Sequence, residues 1–183
     1  MKLFFLIGIL FLTSSIAFAQ NSRNQESSTT IAIGVNTIDN NNRKVGGIVP
    51  FIGGNINFKT PFFITAEHRF ESDFSTSLSL TTNQLTIKTG QHFYTEIDAT
   101  GQFYFNDYLF DSQDIETYVG IGLGRYFFDN KGNNIFNVLG GVRYWFSDQY
   151  GITSQLGGKI GICPVNVDVR NNYQLNLGLV WRN

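Results

Sequence analysis

The sequence predicts an all-β chain, an eight-stranded antiparallel up-and-down barrel whose strands cross a membrane. Three observations predict it. From Thr117 to Asn183 apolar residues alternate with polar residues or glycine in strand-length pieces, with aromatics gathered at the piece ends. The same period of two runs through most of the first half, and it is the mark of a strand with two unlike faces. The 183-residue chain has 15% charged and 15% aromatic residues, with 19 Gly, 18 Phe and only 3 Pro. That composition suits a sheet with apolar side chains on one face and small residues where backbones crowd.

The chain opens on an export signal. Lys2 is the positive start, Leu3–Leu12 the apolar run and Ala17-Phe18-Ala19 the cleavage site, so residues 1–19 read as a signal peptide and the mature chain begins at Gln20. The apolar run is shorter than the roughly 20 residues of a transmembrane helix. Residues 20–29 are polar and aperiodic and read as a short leader, with the barrel domain over 30–183. The net charge of −1, with no basic segment, excludes the electrostatic footprint of a nucleic-acid binder. The single cysteine, Cys163, cannot form an internal disulfide.

The elements follow in order. Ile31, Ile33, Val35 and Thr37 alternate with Ala32, Gly34, Asn36 and Ile38 as a first strand. Asp39–Lys44 is a polar loop, and Val45–Lys59, broken by Gly46-Gly47, Pro50 and Gly53-Gly54, is assigned with it to a long first connection. Pro61–Phe70 and Phe74–Asn83 are strands, and Gln84–His92 reads as a loop with some strand character. Phe93–Phe105, Thr117–Phe128, Ile135–Phe146, Gly151–Ile162 and Tyr173–Arg182 complete the set, separated by Asn106–Glu116, Asp129–Asn134 and Ser147–Tyr150. Strands of ~9–12 residues cross the hydrocarbon layer at a tilt. A weak repeat of roughly 40 residues supports the pairing. In it aromatics close a strand, polar residues turn the chain and another aromatic follows, as at Arg69–Phe74, Tyr104–Tyr108 and Tyr144–Tyr150. Counting alternate connections puts all three turns on one side of the barrel.

Alternation alone does not tell a membrane barrel from a lipocalin-like one with an apolar interior. The Gly, Ser and Thr of the polar face, the aromatic strand ends and the stop at a final strand favour the membrane form. In that form Glu67, Arg69, Glu96, Asp98, Gln102, Arg143, Gln155, Lys159 and Asn176 line the lumen. An eight-stranded barrel has an interior that side chains fill, and buried charges there need partners. The expectation is a structural ion-pair network, with Glu67, Glu96 and Asp98 facing Arg69, Arg143 and Lys159.

The run Gly140-Gly141-Val142-Arg143-Tyr144-Trp145-Phe146-Ser147-Asp148-Gln149-Tyr150-Gly151 resembles the strand–turn–strand of small OmpA-like outer-membrane β-barrel proteins. Gly120–Phe127 and Leu177–Trp181 are similar to their neighbouring strands. The resemblance covers mainly Thr117–Asn183. It implies an eight-stranded barrel alone, location in the cell outer membrane, short periplasmic turns and longer outer loops. It also implies insertion by the barrel-assembly machinery, which reads the last strand, here Tyr173, Leu175, Leu177, Leu179 and Trp181. The chain departs from the pattern in carrying no peptidoglycan-binding domain after the barrel and in ending Trp181-Arg182-Asn183 rather than on Phe.

No catalytic, cofactor or metal site is expected. His68 and His92 are the only histidines, and with one Cys at distant positions they do not make a zinc pattern. His68 falls on the apolar face, which raises a lipid-modifying enzyme as an alternative, but no G-x-S-x-G elbow accompanies it. The leading expectation is a monomeric, non-enzymatic barrel in contact with outer-membrane lipid. It supports the envelope or presents loops to an extracellular ligand, above all through Asp39–Lys59. A narrow solute pore is the other alternative.

Overall fold

The structure, a computed structural model, describes residues 27–39, 56–70, 73–87, 90–105, 114–128, 131–162 and 171–183. It is all β: β1 (Ser28–Asp39), β2 (Ile56–Asn57), β3 (Phe62–Arg69), β4 (Phe74–Ile87), β5 (Gly90–Tyr104), β6 (Ile115–Phe128), β7 (Lys131–Trp145), β8 (Tyr150–Ile162) and β9 (Asn171–Arg182). Eight long strands pair antiparallel in chain order, and β1 pairs with β9 from Thr30↔Arg182 to Asp39↔Tyr173, which closes the sheet into a barrel. The proximal rim holds the start of β1 and the end of β9. The distal rim lies opposite. The described residues contain no helix long and apolar enough to cross a membrane.

The inside–outside question is answered by burial. Leu78 is 59% exposed and Leu179 62%, whereas Glu96 is 0% and Lys159 7% exposed. The apolar face therefore points out and the polar face in, as a lipid solvent requires and water does not. On β5 the outward residues run Phe103, Gly101, Ala99, Ile97, Thr95 and Phe93, a span of about 25 Å after allowing for strand tilt.

The strands run further than the sequence suggested. Gln84–His92 is not a loop: β4 continues to Ile87 and β5 starts at Gly90, with Ile87↔Gly90 as the last pair. Gly90 takes a φ of 128°, which other residues rarely adopt. Likewise β7 starts at Lys131, inside the predicted Asp129–Asn134 loop, and β6 starts at Ile115, inside the predicted Asn106–Glu116 connection. Polar composition misled here because strands that outrun the hydrocarbon layer no longer need an apolar face. β1 begins at Ser28, within the segment read as leader. Residues 1–26, most of the Asp39–Lys59 connection, part of Asn106–Glu116, and Cys163 lie outside the described residues.

Β2 is a further departure from the single long connection. It pairs with the end of β1, Ile38↔Asn57 and Asp39↔Ile56. There β1 has passed the start of β3, and side chains complete the wall. Asn36 Nδ2 donates to Phe62 O at 2.7 Å and to Thr82 O at 2.9 Å. Asn57 Oδ1 accepts from the Thr86 N–H at 2.7 Å, and Asn83 Nδ2 donates to Asn57 O at 3.2 Å. These bonds satisfy backbone groups that no strand reaches.

Inward glycines make room for the large lumen residues. A Cβ on Gly124 would lie 1.9 Å from Asp98 Oδ1, one on Gly141 2.4 Å from the Tyr118 ring and one on Gly178 2.8 Å from the Phe63 ring. At the closing seam a Cβ on Gly34 would lie 2.2 Å from Leu177 O and 2.4 Å from Gly178 Cα, backbone atoms that cannot move aside. Gly34→Val is therefore expected to destabilise the barrel by about 1–3 kcal/mol through overpacking. Gly140→Ala, where the nearest atom is 3.7 Å away, is expected to be neutral. Urea unfolding midpoints in lipid vesicles check both.

Candidate functional site: the charged lumen

The six lumen charges singled out in the sequence all lie inside, but they do not form one network. They divide into two clusters stacked along the barrel axis, and two residues that the sequence reading left out join the second.

The distal cluster joins β5 to β8 across the lumen. Lys159 Nζ donates to Asp98 Oδ2 at 2.8 Å and pairs with Glu96. Asn137 Nδ2 donates to Asp98 Oδ1 at 2.6 Å, and the Tyr94 hydroxyl donates to Glu96 Oε2. Two carboxylates thus share one ammonium. Gly124 leaves the space that Asp98 occupies. Above this cluster, at the distal rim, Ile38, Leu85, Tyr94, Tyr126, Phe128 and Ile135 pack as a buried apolar cluster beside the buried Asn83 and Asn133. Tyr94 and Tyr126 stack there at 5.4 Å between ring centroids.

The proximal cluster is built on guanidiniums. Arg143 Nη2 donates to Glu67 Oε2 at 2.5 Å and Arg143 Nη1 to the Tyr104 oxygen at 2.8 Å, while the Tyr104 hydroxyl donates to Glu67 Oε1 at 2.5 Å. Arg143 Nη1 is also 3.6 Å from Glu116 Oε2. Arg69 Nη1 reaches Glu116 Oε1 at 3.2 Å, and Arg182 Nη1 reaches the same oxygen at 3.4 Å. The aromatic walls are part of the arrangement. The Arg69 guanidinium lies 4.1 Å from the Tyr104 ring centroid, Arg143 5.2 Å from Tyr118 and Arg182 4.3 Å from Trp145. Each is a cation over a π face, and at the buried Arg69 and Arg143 water competes little. Arg182 also donates to Asp148 O from Nε and Nη2, at 3.3 and 3.1 Å, which ties the end of β9 to the turn before β8.

Glu116 and Arg182 are the site residues that sequence reasoning missed. Glu116 was placed in a connection, although it keeps the period of Tyr118, Gly120 and Gly122 on the inward face of β6. Arg182 falls by its period on the polar face of the last strand, with Gln174 and Asn176, but was not counted among the lumen charges.

Between the clusters lies a cavity of about 20 Å³, lined by Ser79, Thr100, Asn137, Gln155, Gln174 and Asn176 among others. That is room for about one water molecule. Asn137 Oδ1 and Gln174 Oε1 are buried acceptors without a protein partner and both belong to residues of that lining. Among the described residues the lumen is thus a packed polar core with an apolar cluster at the distal end.

The histidines are not brought together. His68 is exposed on the outer wall, where Nδ1 is 3.3 Å from Thr29 Oγ1 and the ring meets Phe70 edge-on at 5.3 Å. His92 lies 5.1 Å from the Phe128 ring at the distal rim. Among the described residues no group of three His, Cys, Asp or Glu is placed to hold a metal ion. The residues of the last strand, Tyr173, Leu175, Leu177, Leu179 and Trp181, all occupy its outward face, with Leu177 and Leu179 the most exposed.

Comparison with solved structures places this architecture. The barrel is similar to Neisserial surface protein A, with a TM-score of 0.58 at 16% identity over 85% of this chain and 96% of that one. The fold is that of a small outer-membrane barrel. It is similar as well to OprG of Pseudomonas aeruginosa (TM-score 0.57, 10% identity, 87% of this chain and 97% of that one). Outer membrane protein W of E. coli gives a TM-score of 0.55 at 16% identity over 88% of this chain and 100% of that one. No protein-family model and no curated protein matches the sequence. The eight-stranded outer-membrane barrel is therefore shared with these proteins at the level of fold.

Proposed function

We propose that the protein is a non-enzymatic, non-conducting barrel of the outer membrane, a rigid support that presents its distal connections at the cell surface. The observation that carries this reading is the filled lumen. Among the described residues, two ion-pair clusters, a cavity with room for about one water and an apolar cluster at the distal rim fill the inside of the barrel. The exposed apolar belt supports a location in the membrane. The asparagine bonds that anchor β2 to β1 and β4 hold the end of the first distal connection to the wall, as a presented loop requires. The outward face of β9 offers the alternating apolar residues that the barrel-assembly machinery would read.

Single-channel recording in planar bilayers tests the reading. The purified chain is expected to insert without a steady conductance. Stable openings of reproducible size would instead assign the lumen to solute passage and remove the scaffold reading.

A further inference from the structure

Among the described residues the outer wall carries one exposed strand charge, toward the distal end of the apolar belt. On β4 and β7 the last apolar outward positions toward the distal rim are Leu80 and Phe136, whereas on β5 and β6 an exposed aromatic, Phe93 at 54% and Phe127 at 41%, stands one outward step beyond a polar residue. The polar outward residues at this end are Thr82, Thr95, Arg125 and Asn134, with Thr82↔Thr95, Ile97↔Arg125 and Arg125↔Asn134 paired, so Arg125 stands between Ile97 of β5 and Asn134 of β7. Among the described residues, Arg125 is the only exposed charged residue at an outward position of a strand. A charge on a lipid-facing wall is costly at mid-membrane and costs little at the headgroup level.

The side chain is held, not loose. Arg125 Nη1 donates to Asn134 Oδ1 at 3.3 Å, and the guanidinium lies 5.5 Å from the Phe127 ring centroid. It runs over Gly132, where a Cβ would lie 2.7 Å from both Nε and Nη2. Gly132 pairs with Phe127, one outward step beyond Asn134 toward the distal rim. The arginine therefore reaches from the edge of the apolar belt toward the headgroups, the course a cation takes when its stem lies on an apolar surface. The bond to Asn134 uses one of five guanidinium donors, and the fork geometry matches a phosphate.

We propose that Arg125, seated on Gly132 and oriented by Asn134, binds the phosphate of an anionic lipid headgroup in the leaflet at the distal rim. The inference rests on the lipid-facing reading of the wall and not on the closed lumen, so a conducting barrel would leave it intact. The test is native mass spectrometry of the folded full chain in detergent. The probes are dioleoyl phosphatidic acid, phosphatidylcholine with the same chains, and inorganic phosphate. Phosphatidic acid is expected to bind in preference to both others. Arg125→Gln should weaken it fivefold or more, and Arg125→Lys should fall between. Gly132→Ala, whose methyl group enters the seat of the guanidinium, should also weaken it while the barrel still shifts on heating in gels. If Arg125→Gln does not fold, Arg125→Lys and Gly132→Ala carry the test. Equal retention of phosphatidic acid by the folded variants, or equal binding of phosphatidylcholine, would overturn the proposal. Competition by inorganic phosphate at the same concentration would overturn the lipid as the ligand.

Discussion

Lys159→Met is expected to be among the most damaging single substitutions in the barrel. It leaves Glu96 and Asp98, 0% and 6% exposed, without the one cation that serves them both. Asn137 and Tyr94 donate to the two carboxylates but bring no charge. Removing one partner of a buried ion pair typically costs about 3–5 kcal/mol, because the remaining charge has no solvent to return to. The variant should lose at least that much in urea unfolding from lipid vesicles, or fail to fold. Lys159→Met combined with Glu96→Gln and Asp98→Asn should recover most of the loss, since amides of the same shape have no charge to desolvate. If the single variant stays within about 0.5 kcal/mol of the parent, the distal cluster contributes nothing to holding the barrel.

Arg143→Met is the second. Its guanidinium serves Glu67, Tyr104 and Glu116 at once and lies against the Tyr118 ring. The expected loss is again about 3–5 kcal/mol. It should exceed the loss at Arg182, whose side chain is 32% exposed and shares Glu116 with Arg69. Glu67→Gln in the Arg143→Met background should restore part of it, with a coupling of about 0.5–3 kcal/mol in the double-mutant cycle. The two-cluster arrangement makes a sharper prediction. Arg143 and Lys159 share no ion-pair or hydrogen-bond partner in the described contacts. Their effects should add to within about 0.5 kcal/mol, which a single connected network would not allow.

How much of this was legible in the sequence follows from what sets each feature. The faces were legible because side chains alternate with a period of two whatever the rest of the chain does. Glu67, Glu96 and Lys159 could be placed on the polar face from their neighbours alone. Their partners could not, because a pair across the lumen depends on the stagger of the strands around the barrel. Lys159 on β8 meets carboxylates on β5, and Arg143 on β7 meets one on β3. The strand ends were misread because the apolar signal stops where the lipid stops, while the hydrogen-bonded ladder continues to Ile87 and Gly90. The role of Asn36, Asn57 and Asn83 was illegible for another reason. Asparagine in a sequence signals a turn, and only the divergence of β1 from β3 creates backbone groups for these side chains to satisfy.

The central claim is that the sheet turns its apolar face to lipid and its charges inward. Single-tryptophan fluorescence in vesicles with brominated acyl chains tests it most directly. Trp145 is 4% exposed and belongs to a buried cluster with Ala32, Phe63 and Val180, whereas Leu78 stands 59% exposed on the outer wall. With Trp181→Phe alone, the remaining Trp145 should be quenched weakly. With Trp145→Phe, Trp181→Phe and Leu78→Trp, the emission should be quenched strongly by the brominated lipid and not by iodide in the water. Quenching of the outer-wall tryptophan by iodide, with none by the lipid, would mean a barrel in water and would contradict the account.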